Sequence, residues 1–252
     1  MAFDLEGQAI LVSGGGRGIG RGTAELLAAS GAVVGVADID PDTSRETAEA
    51  IRAAGGRAHS FSADLSSRDA FLQTAEAFAA IEGRIDGVVN AAMWIKYEPI
   101  GEVTEAVFER MLGVGLKAPV WGTQAVLRHK LPGRSAQVIN FSSPAADQGY
   151  PNTAIYAAIK GAISTITRSL AVELGPQGVR VNAITPGPVP TPGARAVVDE
   201  AGYELRRRKT PLGRLGKEVD IANAIAFLFS PEADFITGAV LHVDGGCSLT
   251  AS

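Results

Sequence analysis

Seven short apolar runs alternate with helix-length stretches along this chain. The runs are Gln8–Ser13, Ala32–Ala37, Ala58–Ala63, Ile85–Asn90, Ala136–Ser142, Val179–Ile184 and Val240–Val243. The first reads as a buried strand and the others as strands. Between them lie a helical pattern through Leu27, then Pro41–Ala54, Ser66–Ile81, Thr104–Leu131, Thr153–Leu174 and Val219–Phe229. Strands separated by helices cannot pair as hairpins. They join through right-handed crossovers, which predicts an α/β protein with a doubly wound, seven-stranded parallel sheet and helices on both faces. No linker or repeat interrupts the alternation, so one domain is expected over 1–252. With 252 residues, 46% of them hydrophobic, the chain is large enough to bury a core.

Charge narrows the partners. The formal net charge is −4 and the only basic cluster is Arg206–Lys209, read first as a solvated helix face and second as a lid or interface feature. A nucleic-acid partner would require a basic face, so none is expected. The single cysteine, Cys247, excludes an internal disulfide framework, and His59, His129 and His242 lack ligand spacing, so no metal is expected. There is no charged leader before an apolar core and no run long enough to span a bilayer. A cytoplasmic protein without membrane contact is the expectation.

Two stretches carry chemistry. The first strand runs into Gly14-Gly15-Gly16-Arg17-Gly18-Ile19-Gly20 and then a helix. In that context glycines let backbone approach a pyrophosphate, and the helix N-terminus supplies N–H groups and partial positive charge. The second strand ends at Asp38, 18 residues past Gly20, where a carboxylate would meet ribose hydroxyls. In the second stretch, Tyr156 and Lys160 stand four apart on a helix and Ser143 precedes Tyr156 by thirteen residues at the end of a strand. The trio suits carbonyl/alcohol interconversion. A phenol of pKa about 10 is a poor base until a neighbouring cation favours the phenolate. A serine hydroxyl can donate to the oxygen where negative charge develops. By spacing alone, a Tyr and a Lys four apart are also ordinary helix-face neighbours.

Taken together, these motifs resemble the short-chain dehydrogenase/reductase family in its compact single-domain branch, over nearly the whole chain. Ser13-Gly14 through Gly18-Ile19-Gly20 resembles the family's TGxxxGxG turn, with Ser for Thr. Asp64-Leu65 matches the position that touches adenine. Asn90-Ala91-Ala92-Met93 resembles NNAG, and Ser143, Tyr156 and Lys160 match the catalytic Ser and YxxxK. Pro186-Gly187, Thr191, Pro211-Leu212-Gly213-Arg214 and Val243-Asp244-Gly245-Gly246 match C-terminal signatures. The resemblance implies a Rossmann-type fold and NAD(P) chemistry. Tyr156 would be the acid/base, Lys160 would lower its pKa and hydrogen-bond the nicotinamide ribose, and Ser143 would orient the substrate oxygen. Asn90 would line the cofactor channel. Pro186, Gly187, Val189 and the Thr191 hydroxyl would hold the carboxamide and diphosphate side.

The chain departs from the pattern at Ala91 and Met93, and at Gly115, where the family usually has a fourth catalytic residue, Asn. Gly115 keeps a carbonyl for the relay water that the family places there, and it tolerates a bent helix. The expectation is an active enzyme in which Gly115→Asn changes activity by less than about tenfold.

The leading function is an NAD-dependent oxidoreductase interconverting a secondary alcohol and a ketone. An NADPH-dependent 3-oxoacyl-thioester reductase is the second, kept open by Arg17, which could pair with a 2′-phosphate. A non-catalytic nucleotide-binding protein is the third. NAD is the expected cofactor because Asp38, with Asp40 and Asp42 nearby, would repel that phosphate. Trp94, Ile95, Tyr97, Ala145, Tyr150, Pro188 and the segment Ala194–Lys209 are candidate substrate walls, and their aromatics favour an apolar or cyclic substrate. The helices Thr104–Leu131 and Thr153–Leu174 are apolar on more than one face, for example at Ala162, Ile163, Ile166, Leu170 and Val172. With the resemblance, this predicts a homotetramer.

Overall fold

The computed structural model describes residues 3–250, so the outermost limits of the expected domain, 1–2 and 251–252, lie outside the described residues. Seven strands form one sheet: β1 (Ala9–Ser13), β2 (Val33–Asp38), β3 (Arg57–Ser62), β4 (Gly87–Asn90), β5 (Ala136–Phe141), β6 (Val179–Pro186) and β7 (Val240–Val243). Their order is β3-β2-β1-β4-β5-β6-β7, and every neighbouring pair is parallel. The helices are α1 (Gly18–Ala29), α2 (Pro41–Ala53), α3 (Arg68–Glu82), α4 (Glu105–Leu112), α5 (Ala118–His129), α6 (Ala154–Leu174), α7 (Pro192–Arg195), α8 (Glu200–Lys209) and α9 (Glu218–Phe229). None of them is long and apolar enough to cross a membrane.

Alternation within each strand divides the core between the two faces of the sheet. Ile10 and Val12 of β1 pack with Ala24 and Leu27 of α1, Ile51 of α2, and Ile221 and Ile225 of α9. Ala9 and Leu11 face the other way, onto Phe71 and Phe78 of α3, Ala125 of α5 and Leu174 of α6. Strands buried on both faces have no polar side to show, which is why they read as unbroken apolar runs.

Local chemistry sets the ends. Asp40 caps α2, accepting hydrogen bonds from the Asp42 and Thr43 N–H groups, with Pro41 at the first helical position as expected. Gly14 adopts φ +68°, and a Cβ there would stand 2.7 Å from the Ala92 backbone. Only glycine lets the β1 turn lie against the loop after β4.

One expected element differs. The stretch read as a single helix over 104–131 is α4 and α5 joined by a π-helical turn, Gly113–Lys117. The Ala118 N–H donates five residues back, to the Gly113 carbonyl. Pro119 has no N–H to return to the Gly115 carbonyl, so the α-helical ladder cannot run through that point.

Two strands that are consecutive in space, β1 and β4, are not consecutive in sequence. The chain leaves β1 toward β2 and returns on the other side. The crevice where the connections diverge, beyond the carboxyl ends of the strands, is where such sheets bind ligands.

Candidate active site

A cavity of about 1180 Å³ opens in that crevice. Of the residues expected to hold a cofactor, Gly14, Arg17, Gly18, Ile19, Gly20, Asp38, Asp64, Leu65, Pro186, Gly187, Val189 and Thr191 all line it. Ser13 and Asn90 do not. Ser13 is 1% exposed, and its hydroxyl accepts a long hydrogen bond, 3.4 Å, from the Ala92 N–H. Asn90 is turned into the protein. Its amide donates to Asn140 Oδ1 at 2.9 Å, and Asn140 in turn donates to Thr167 Oγ1 at 3.0 Å. This buried ladder ties β4 to β5 and α6. The Asn90 Nδ2 thus finds its partner inside the protein, while its Oδ1 has none among the described residues.

The nucleotide end is shaped by backbone. A Cβ on Gly20 would collide with the Gly14 carbonyl, so α1 can begin this close to β1 only with glycine there. The α1 N-terminus has no side-chain cap, which leaves its N–H groups for a ligand. Asp38 is half-buried. One of its oxygens accepts from the Gly16 N–H at 3.0 Å and the other from the Asp40 N–H at 3.2 Å. Arg17 forms an ion pair with Asp40. Asp64 is exposed and accepts from the Ser66 N–H and hydroxyl. Thr191 caps α7, accepting from the Ala194 N–H at 3.2 Å, and lies against Gly18. Open helix N–H groups, a glycine cradle and a carboxylate at the end of β2 form a donor and acceptor set that fits a dinucleotide.

At the other end, β5 and α6 bring Ser143, Tyr156 and Lys160 to the same cavity. The Ser142 hydroxyl pins the two elements, sharing a hydrogen bond with Ser164 at 2.7 Å and donating to the Lys160 carbonyl at 3.1 Å. Ser143 Oγ accepts from the Ala145 N–H at 3.2 Å. Lys160 is buried, and its ammonium donates to the Phe141 carbonyl at 2.7 Å. Removal from water brings its pKa down to about 8. Burial pushes the Tyr156 phenol up, while hydrogen bonding to Ser143, the Arg206 charge and hydrogen bonding to Tyr97 pull it back. The expected effect of Lys160 on that phenol is not among these influences. The ammonium is turned to a backbone carbonyl and stands 5.6 Å from the Tyr156 ring centroid.

The substrate side also differs from the expectation in part. Trp94, Ala145, Tyr150 and Pro188 line the cavity, as do Ile95 and Tyr97. Tyr97 meets Tyr156 edge-on, with ring centroids 5.5 Å apart, and Trp94 stacks under the Arg110 guanidinium at 4.3 Å. The Tyr150 hydroxyl donates to Gln148 at 2.6 Å. The basic cluster proves to be divided. Arg207 and Arg208 pair with Glu204 on the outer face of α8, while Arg206 and Lys209 line the cavity. All four are exposed, as a solvated face requires, and two of them also border the cavity. The signal for those two was the three-residue spacing Tyr203, Arg206, Lys209, which sets one helix face.

The comparisons with known proteins agree with this geometry. The family model described as "Enoyl-(Acyl carrier protein) reductase" matches residues 14–248. The chain is 39% identical over 244 residues to the short-chain reductase protein NovJ of Streptomyces niveus, covering 94% of this chain and 92% of that one. It is 35% identical over 237 residues to cis-4-hydroxycyclohexanecarboxylate dehydrogenase of Sinomonas cyclohexanicum, covering 94% of each. Among solved structures, 3-ketoacyl-(acyl-carrier-protein) reductase of Brucella melitensis complexed with NADH superimposes with TM-score 0.89 at 33% identity, over 97% of this chain and all of that one (100%). A short chain dehydrogenase of Burkholderia cenocepacia in complex with NADP gives 0.90 at 31%, over 96% and 98%. The glycine turn, the parallel sheet and the Ser143, Tyr156 and Lys160 cluster thus occur in a chain that belongs to the short-chain dehydrogenase/reductase family and is an NAD(P)-dependent oxidoreductase.

Proposed function

We propose that the protein is an NAD-dependent dehydrogenase of secondary alcohols, interconverting an apolar or cyclic alcohol and its ketone. The observation that carries this is the convergence of Ser143, Tyr156 and Lys160 on one cavity that also holds the glycine turn and Asp38. Bound NAD would accept a hydride from the carbinol carbon. Tyr156 Oη would take the hydroxyl proton as the carbonyl forms and return it in reduction. Ser143 Oγ would hold the substrate oxygen. Lys160, with its pKa brought down to about 8, would stand behind Tyr156 as a proton acceptor or donor near neutral pH. Tyr97, Trp94 and Tyr150 would exclude water and pack the substrate body. The relative named for a hydroxycyclohexanecarboxylate acts on a ring alcohol, in keeping with an aromatic-walled cavity.

NAD over NADP follows from charge. Asp38 stands at the end of β2, and Arg17, the cation that could have met a 2′-phosphate, is already paired with Asp40. A 3-oxoacyl-thioester reductase remains the second reading, favoured by the Brucella melitensis neighbour. The experiment is a coupled NADH assay over cyclic, aromatic and acyl-thioester substrates with both cofactors. Oxidation of a ring alcohol with NAD is the expected result. Turnover confined to thioesters with NADPH would replace this reading with the second.

A further inference from the structure

The charged side chains that line the substrate end of the cavity are basic, with the Asp244 carboxylate behind Cys247. The lining there includes Arg110, Lys160, Arg206 and Lys209, whereas both acidic residues of the lining, Asp38 and Asp64, belong to the nucleotide end. Arg110 lies over the Trp94 ring and Lys160 is tied to a carbonyl. Arg206 makes no ion pair or side-chain hydrogen bond among the described residues, although Arg207 and Arg208 next to it are both paired with Glu204. Its charge nevertheless acts on Tyr97, Tyr150, Tyr156, Tyr203 and Cys247, lowering each against the burial that raises it. Arg206 is exposed to solvent and lines the cavity. One helical turn before it, Tyr203 is 2% exposed and also lines the cavity, and its buried hydroxyl has no hydrogen-bond partner. Native proteins leave few such donors unpaired unless a ligand or water completes them.

Resting on the dehydrogenase reading above, we propose that Arg206, with the Tyr203 hydroxyl beside it and Lys209 one turn beyond, is an anion-recognition subsite, and that the alcohol this protein oxidises carries a carboxylate remote from its carbinol carbon. A planar guanidinium is suited to bidentate recognition of a carboxylate, and the phenol O–H supplies a further donor. α8 presents these groups from one face because they recur at three-residue spacing. On the outer face of the same helix, Glu204 pairs with both Arg207 and Arg208. The Trp94, Tyr97 and Tyr150 walls hold the apolar body between the anion and Tyr156. Arg206 thus sets specificity, and the proton transfer remains with Tyr156.

The test compares a hydroxycyclohexanecarboxylate with its methyl ester in the full-length protein with NAD. The acid is expected to exceed the ester at least tenfold in kcat/KM. In Arg206→Leu that ratio falls at least tenfold, mainly through KM of the acid, and Arg206→Lys recovers part of it. The ratio cancels any influence of Arg206 on Tyr156, which acts on both substrates. Calorimetry with cyclohexanecarboxylate, which cannot react, should show binding that weakens in Arg206→Leu, with circular dichroism verifying the fold. An acid-to-ester ratio near one, or a ratio unmoved by Arg206→Leu, overturns the subsite while leaving the dehydrogenase reading intact. A preference for carrier-protein thioesters, lost with Arg206, would assign α8 to an acidic protein surface instead and overturn it too. Absence of turnover of every alcohol overturns the dehydrogenase reading, and the subsite with it.

Discussion

The thioether sulfur of Met93 stands 2.9 Å from the point that a Cβ on Gly115 would occupy, and Ile159 Cγ2 stands equally close to it. These two departures from the family pattern are therefore one arrangement. Met93 fills the space that a side chain at 115 would take, and Gly115 makes room for Met93. Ile159 precedes Lys160 on α6, so the packing extends to the lysine that lines the site.

This adds a packing cost to the expectation for Gly115→Asn. The substitution does not drop into a vacant position, because it drives a Cβ and an amide into Met93 and Ile159. Overpacking of this kind costs about 1–3 kcal/mol, and a domain of this size loses about 2–4 °C in Tm per kcal/mol. The single variant should melt several degrees lower with reduced activity, and Met93→Gly combined with Gly115→Asn should regain most of the loss. A melting scan of the four proteins measures the coupling. If the single variant melts like the unmodified protein, Met93 is free to move away and the arrangement is not coupled.

Tyr156→Phe should lower kcat by about 10²–10⁴, the usual contribution of general acid–base catalysis. Nucleotide binding, followed by fluorescence titration of NADH, should change little, because the ring and its edge contact with Tyr97 remain. Equal loss of binding and turnover would mean that Tyr156 shapes the cavity without transferring the proton.

Lys160 makes a pH signature. Its folded pKa of about 8 lies below the ordinary value of 10.5. Between these values the unfolded chain binds more protons, so this group adds stability as pH rises, by up to about 1.4 kcal/mol per unit. Cys247 acts in the opposite direction above pH 9, since its thiol is pushed up to about 11. The difference in unfolding free energy between the unmodified protein and Lys160→Met isolates the lysine. That difference should shift in favour of the unmodified protein between pH 8 and 9 in urea titrations. A flat difference across that window would show that the ammonium keeps its proton at no cost.

Asp38→Ala should raise the NADP to NAD ratio of kcat/KM at least tenfold, equivalent to about 1.4 kcal/mol. Arg17→Ala should move the same ratio far less, because Arg17 is paired with Asp40 and exposed. Initial rates at matched cofactor concentrations decide it. A large loss of NADP use in Arg17→Ala would show that the arginine leaves Asp40 for the phosphate.

Val172 of α6 is 80% exposed and Phe235, in the loop before β7, is fully so. A homotetramer that covers such apolar side chains is the proposed assembly. Light scattering should report four chains at micromolar concentration, and a monomer there removes the proposal.

The inner strands of the sheet were legible because they are buried on both faces, unlike the edge strands β3 and β7. Burial forces Ile10, Leu11 and Val12 to be apolar in succession, and parallel pairing forces a helix between strands, so the alternation encodes the topology. The glycine turn was legible for a related reason, since Gly14 and Gly20 mark backbone approaches that exclude a Cβ. Ser143, Tyr156 and Lys160 were legible as a constellation with fixed spacing. Side-chain direction was decided only in three dimensions. Asn90 turned inward to Asn140, Lys160 turned to the Phe141 carbonyl, and Arg206 parted from Arg207 and Arg208. Nor did the linear order bring Met93 to Gly115, 22 residues away. Burial pattern and backbone sterics act on each residue with its near neighbours and leave a mark in the sequence. Partner choice among buried polar groups and the filling of a particular space depend on atoms brought together by the fold, and only the tertiary structure supplies those.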